Sequence, residues 1–177
     1  MKKVLYILGL LDDRDIDWMI STGDRRVFQP GETLLREKVK NPSIFIIISG
    51  KVAVSVGKRF LAEIGLGEVL GEIGLLDSRP PSATITAVDT TVVLAIDFDD
   101  IRAKLASDVG FAARIYQALG IFLAQRLRRA TLQLIVGESK TVEEDPQDPD
   151  EIDPDTLEQI SLAGNRFRII MDKLKDI

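Results

Sequence analysis

One stretch holds most of the residues able to do chemistry: Gly65-Leu66-Gly67-Glu68-Val69-Leu70-Gly71-Glu72-Ile73-Gly74-Leu75-Leu76-Asp77-Ser78-Arg79-Pro80-Pro81-Ser82-Ala83-Thr84. Its glycines leave backbone N–H groups open to close approach, and successive N–H groups can form a nest for an anion. Glu72 can accept hydrogen bonds from the hydroxyls of a sugar, and Ser82 can donate one to a phosphate oxygen. Arg79 is the only cation of the stretch. Together these are the parts of a site for a phosphate-bearing sugar. Taken singly, Glu72 reads as a loop carboxylate satisfied by backbone N–H groups, and Arg79 as a solvated charge.

Other chemistries are missing their tools. The 177 residues include no Cys and no His. That excludes disulfides, thiol chemistry, iron–sulfur clusters and thiolate zinc sites. It equally excludes a Ser-His-Asp triad, a His general base and His-ligated metals. No catalytic site is expected and no cofactor is implied. The net charge of −5 sits in one place: residues 138–155 carry nine acids and one base, whereas the first 137 residues sum to +2. The Lys2-Lys3 pair and the apolar residues 4–11 mimic an export signal, but Asp12-Asp13-Arg14-Asp15 follows with no small-residue cleavage site. The longest wholly apolar run in the body, Ile44–Ile48, falls far short of the roughly 20 residues of a membrane span. A cytoplasmic protein is expected.

The elements that must hold the glycine-rich stretch are mostly strands. Residues 1–21 read as helical, with an acidic cap near Asp12 and Asp15. Strands are expected at 25–29, 33–36, 44–48, 52–56, 58–64, 83–88 and 91–96, broken by turns such as Pro30-Gly31 and Ser49-Gly50-Lys51. Short strands at this spacing point to a small barrel or jelly roll. A short helix opens at Asp97. A long one runs from Asp108 to Val136, striped by Ala112, Ile115, Tyr116, Leu119, Leu123, Leu127, Ala130 and Leu134. At about 1.5 Å per residue it is on the order of 40 Å long, more than a small barrel needs, so its far end is free to pair with a second copy. Residues 138–155 read as an acidic linker broken by Pro146, Pro149 and Pro154. A last amphipathic helix, 156–177, carries Leu157, Ile160, Gly164, Phe167, Met171 and Leu174, flanked by Ala163, Ile170 and Ile177. It must dock on its own barrel, a second copy or another protein, because such a helix is marginal alone in water.

Leu70-Gly71-Glu72-Ile73-Gly74-Leu75 followed by Ser82-Ala83-Thr84-Ile85 resembles the phosphate-binding cassette of cyclic nucleotide-binding domains. These occur in bacterial catabolite activator proteins, cyclic-AMP-dependent kinase regulatory subunits and cyclic-nucleotide-gated channels. The Pro30-Gly31-Glu32 turn and the Ser49-Gly50-Lys51-Val52 corner extend the resemblance over about residues 8–136. It implies an eight-stranded jelly-roll barrel with flanking helices. It assigns Glu72 to the ribose 2'-hydroxyl, Gly71 to a backbone contact, and Ser82 and Ala83 to the phosphate; Ile73 and Arg79 join the candidate set from their place in the same stretch, Arg79 as a substitute phosphate contact. One position departs from the pattern. The family places an Arg directly before the Ser-Ala pair, and this chain has Pro81, which offers neither charge nor N–H donor.

The resemblance thus implies a non-catalytic sensor, with cyclic AMP or cyclic GMP as a weakly held ligand, signalling through its helices and dimerising through helix 108–136. The other expectation is an interaction module that kept the fold and lost the ligand. A different nucleotide or small anion is a third. Helix 156–177 offers a surface for a partner protein. DNA binding is not expected: the 40 residues after Gly137 are too few for the roughly 60–80 of a helix-turn-helix domain, and many are acidic.

Overall fold

The structure is a computed structural model describing residues 8–136 and 154–175. The apolar run before Leu8 and nearly all of the acidic linker lie outside the described residues. So do the side chains of Leu157, Ile160 and Ile177.

Two antiparallel sheets of four strands face each other. Their strands are β1 (Asp24–Phe28), β2 (Thr33–Leu35), β3 (Ser43–Ser49), β4 (Lys51–Val56), β5 (Arg59–Gly65), β6 (Val69–Leu70), β7 (Thr84–Ala87) and β8 (Thr91–Asp97). One sheet is ordered β1-β8-β3-β6 and the other β2-β7-β4-β5. This is the jelly-roll arrangement, and no ladder among the described residues closes the two sheets into a continuous barrel. Seven strands fall where hydrophobic patterning put them; the eighth, β6, has two residues.

The unbroken apolar runs of β3 and β8 have a direct cause. An antiparallel strand with one wet face alternates apolar and polar residues, whereas a strand covered on both faces does not. Phe45 and Ile47 of β3 point with Val93 and Ala95 of β8 into the space between the sheets. Ile44, Ile46 and Ile48 point the other way with Leu94 and Ile96, under a layer of helices.

That layer comprises α1 (Asp13–Thr22), α3 (Phe98–Ser107), α4 (Val109–Val136) and α5 (Pro154–Lys175). A capping box starts α1: the Asp15 N–H donates to Asp12 Oδ1 and the Asp12 N–H to Asp15 Oδ2, both at 2.9 Å. Asp108 ends α3 and caps α4, accepting the Phe111 N–H at 2.9 Å. That bond, then Lys104 at 2.9 Å, holds the Asp108 carboxyl below its ordinary range. The buried seam of α4 is Phe111, Ala118 and Leu119, with Ile115 and Leu123 partly covered; Tyr116 and Leu127 of the expected stripe stay exposed.

Helix α5 docks on α1. Ala163, Phe167, Ile170 and Leu174 are buried in one cluster with Leu8, Leu11, Ile16 and Met19. The seam is rotated from the expected stripe, so Gly164 is exposed and Ala163 and Ile170 are fully covered. Arg166 fixes the register. Its guanidinium donates to Asp13 Oδ1 (2.8 Å) and to the carbonyls of Leu8 (2.9 Å) and Gly9 (3.3 Å). Those carbonyls belong to a helical turn at residues 8–10, where the last carbonyls of a helix accept from outside it. Lys173 reaches Asp17 at 3.1 Å one turn further along. Phe167→Ala is expected to cost about 3–5 kcal/mol of this packing. Hydrogen exchange should then show the α5 amides losing protection while β3 and β8 keep theirs; equal loss in both regions would contradict a separately docking α5.

Candidate functional site

The glycine-rich stretch contains a helix where a loop is expected. α2 (Glu72–Asp77) has six residues and starts from Gly71, whose backbone is left-handed at φ 84°. Only glycine suits that position: a side chain would combine strained backbone with a Cβ 2.8 Å from the Ser43 carbonyl oxygen. The turn stands against β3, because the Asn41 amide nitrogen donates to the same Ser43 oxygen. Gly74 lets α2 lie close to Phe98, whose ring atoms are 3.2 Å from where a Cβ would sit. α2 ends at Ser78, also left-handed, whose N–H returns to the Gly74 carbonyl.

α2 and the following loop form one wall of a cleft of about 540 Å³, counting its open mouth. Gly71, Glu72, Ile73, Arg79, Ser82 and Ala83, all six candidate residues, line it. Glu72 lines it from the first turn of α2 and is only 2% exposed. Ser82 is exposed and Ala83 half-buried. Leu35, Val54, Leu70 and Ile85 form the apolar floor between the sheets.

Pro81 lines the cleft where the resemblance places arginine. Arg79 lines it too, from two residues upstream, but its side chain is 81% exposed and held by Asp77. The Arg79 N–H donates to Asp77 Oδ1 at 3.0 Å, and Nε lies 3.6 Å from Asp77 Oδ2. Sequence reasoning missed Asn41 and Phe98, which also line the cleft. It missed the 36–40 segment as well, where the Lys38 N–H donates to the Pro81 carbonyl at 2.9 Å. No periodicity marks an irregular segment, so nothing in the sequence pointed to it.

With this geometry in view, comparison with known proteins is informative. The family model for the cyclic nucleotide-binding domain matches residues 25–108. The chain contains a cyclic nucleotide-binding domain. It is 31% identical over 129 residues to the "Cyclic AMP receptor protein" of Thermus thermophilus, covering 70% of this chain and 58% of that one. It is 40% identical over 72 residues to a "cGMP-dependent protein kinase" of Eimeria tenella, covering 41% of this chain and 7% of the kinase. The crystal structure of the Thermus thermophilus catabolite activator protein superposes with TM-score 0.62 at 29% identity, over 72% of this chain and 62% of that one. The chain therefore spans little more than half of the Thermus relative and a small part of the kinase. The matched region carries the cleft, both sheets and α3. Among the described residues no helix is long and apolar enough to cross a membrane.

Proposed function

We propose that the chain is a non-catalytic regulatory protein whose cyclic nucleotide-binding domain holds a cyclic nucleotide in the cleft of Gly71, Glu72, Ile73, Arg79, Ser82 and Ala83. The observation that carries this reading is the convergence of all six residues on one cleft, with buried Glu72 and exposed Ser82 both in its lining. Glu72 accepts from the ribose hydroxyls, Gly71 contacts the ligand by its backbone, and Ser82 and the neighbouring amides meet the phosphate. Affinity for cyclic AMP and cyclic GMP is weak, because Pro81 supplies no charge and Arg79 is engaged by Asp77.

The path outward is short. Glu72 and Ile73 begin α2, and Leu75, three residues after Glu72, borders a wholly apolar cavity with Trp18, Phe111, Ile115 and Leu119. Nothing polar lines that cavity, so a movement of Leu75 within it breaks no hydrogen bond there. Ligand in the cleft thus biases the seating of α4 on α1, and α1 carries α5. The exposed Tyr116 and Leu127 of α4 are the contact through which two copies pair.

Pro81 favours a second reading, in which the domain keeps its fold and acts only through protein contacts. Calorimetric titration with cyclic AMP and cyclic GMP separates the two. Weak binding, lost in Glu72→Ala, is the expected result. Absence of heat at millimolar ligand would leave the second reading. Binding untouched by Glu72→Ala would move the ligand out of this cleft.

A further inference from the structure

The β4–β5 hairpin outruns the sheet that carries it. β4 pairs with β7 only as far as Ser55 and Thr84, and β5 is the outer strand, so Val56, Gly57, Lys58 and Arg59 form a protruding tip. A bulge opposite Val54 and Ser55 gives β5 one residue more than its partner, Leu61. Bulges re-aim side chains, and here every residue from Arg59 to Glu63 is exposed. Phe60 and Leu61, adjacent in the chain, are 62% and 51% exposed, so neither is drawn into the core.

The turn at residues 36–40 is fastened beside this tip. The Gly57 N–H donates to Glu37 Oε2 (2.8 Å), the Glu37 N–H to Thr84 Oγ1 (3.1 Å) and the Val39 N–H to the Arg36 carbonyl (3.1 Å). The turn adds exposed Val39, and Val56 is exposed on the hairpin itself. Four apolar side chains thus gather in water at one protruding end of the domain. Cations flank them. Arg36, Lys40 and Lys58 are exposed, and among the described residues no acid lies within ion-pair distance of any of the three. The nearby acids are already answered: Glu37 by Lys38 at 3.2 Å, Glu63 by Lys51 at 3.2 Å and Asp77 by Arg79 at 3.6 Å. The Gly57 bond, then Lys38, holds the Glu37 carboxyl below its ordinary range, so it stays ionised and offsets Lys38.

We infer that this tip docks on an anionic lipid surface. The inference is independent of what the cleft binds. Val39, Val56, Phe60 and Leu61 enter the boundary between headgroups and acyl chains, and Arg36, Lys40 and Lys58 lay their stems along it with their charges at the lipid phosphates. Each cation near an anionic leaflet adds to the attraction, so the association is reversible and salt-sensitive. Other occupants fit less of the surface. The phosphates of a duplex would answer the cations but leave Val39, Val56 and Leu61 in water. A standard protein interface takes about 20–30 residues from each partner, whereas these two segments offer seven such side chains.

The test is co-sedimentation of the full chain with vesicles of phosphatidylcholine alone and of phosphatidylcholine mixed with phosphatidylserine. Binding to the mixed vesicles is expected to be at least about tenfold stronger than to the neutral ones, and to fall as salt is raised. The double variant Phe60→Ser, Leu61→Ser is expected to lose at least about tenfold, and Arg36→Glu, Lys58→Glu as much. All four positions are exposed, so both variants should keep the melting temperature of the unaltered chain. Arg168→Glu, the same charge change on α5, should leave binding within about twofold. Equal binding to both vesicles, or binding to neither, would overturn the proposal. So would binding that survives the loss of Phe60 and Leu61, or that Arg168→Glu abolishes, which would place the contact on α5. Tighter retention on a DNA duplex than on the mixed vesicles would also overturn it and make the tip a nucleic-acid surface.

Discussion

Pro81→Arg is expected to tighten cyclic AMP binding by at least about tenfold. Each charge-assisted hydrogen bond to the phosphate is worth roughly 1.5–3 kcal/mol, and a guanidinium can make two. One bond gives about tenfold, and two give a hundredfold or more. The site is prepared for the change. Position 81 lines the cleft beside Ser82 and Ala83, and its carbonyl, which accepts the Lys38 N–H, is kept by any residue. Titration of the variant beside the unaltered chain measures the gain. The control is Arg79→Ala, expected to change affinity little while Asp77 holds that side chain. If Arg79→Ala abolished binding and Pro81→Arg added nothing, Arg79 would already be the phosphate grip.

Arg114→Met is expected to destabilise the fold by about 3–5 kcal/mol, the usual cost of stripping the partner from a buried charge. Asp15 is 1% exposed and sits between α1 and α4. Arg114 binds it with two hydrogen bonds, Nε to Oδ2 at 2.7 Å and Nη2 to Oδ1 at 2.9 Å. The Arg114 guanidinium is held in its charged form first by those bonds and then by the surrounding carboxylates. Methionine keeps much of the side-chain packing and removes the charge. Asp15 would keep only the Asp12 N–H of the capping box among these bonds. For a chain of this size each kcal/mol shifts the melting temperature by roughly 2–4 °C, so a fall of about 10 °C is expected. Asp15→Asn combined with Arg114→Met should recover part of it. A double variant no more stable than Arg114→Met would mean that the loss came from packing and not from the stranded charge.

What was legible in the sequence follows from what leaves a period in it. β3 and β8 announced themselves because both faces are covered, and α4 did because its seam repeats every three to four residues. The Gly71-Glu72 and Ser82-Ala83 pairs were readable by type and spacing. α2 was not, because a glycine at its cap, another inside it and a length of six residues argue against a helix; packing on Phe98 and β3 supports one there. β6 pairs through Phe45 and Ile46 and is too short to show alternation. The apolar stripe of α5 was legible, but its destination was not. That depends on Leu8, Leu11 and Ile16 presenting a complementary surface some 150 residues earlier, together with the contact of Arg166 to Asp13. Segment 36–40 stayed hidden because its placement rests on its own backbone N–H groups donating to the Pro81 carbonyl and the Thr84 hydroxyl, which no periodic pattern encodes.

The seating of α5 on α1 also sets a clock on biosynthesis. Asp13 and Arg166 are 153 positions apart. At roughly 5–20 residues per second, a ribosome takes on the order of 8–30 s to cover that distance. For that interval Leu8, Leu11, Ile16 and Met19 have emerged without their cover, while the strands between can already pair. The nascent chain thus leaves an oily face on α1 uncovered until α5 has emerged, an attractive target for chaperones that bind emerging chains.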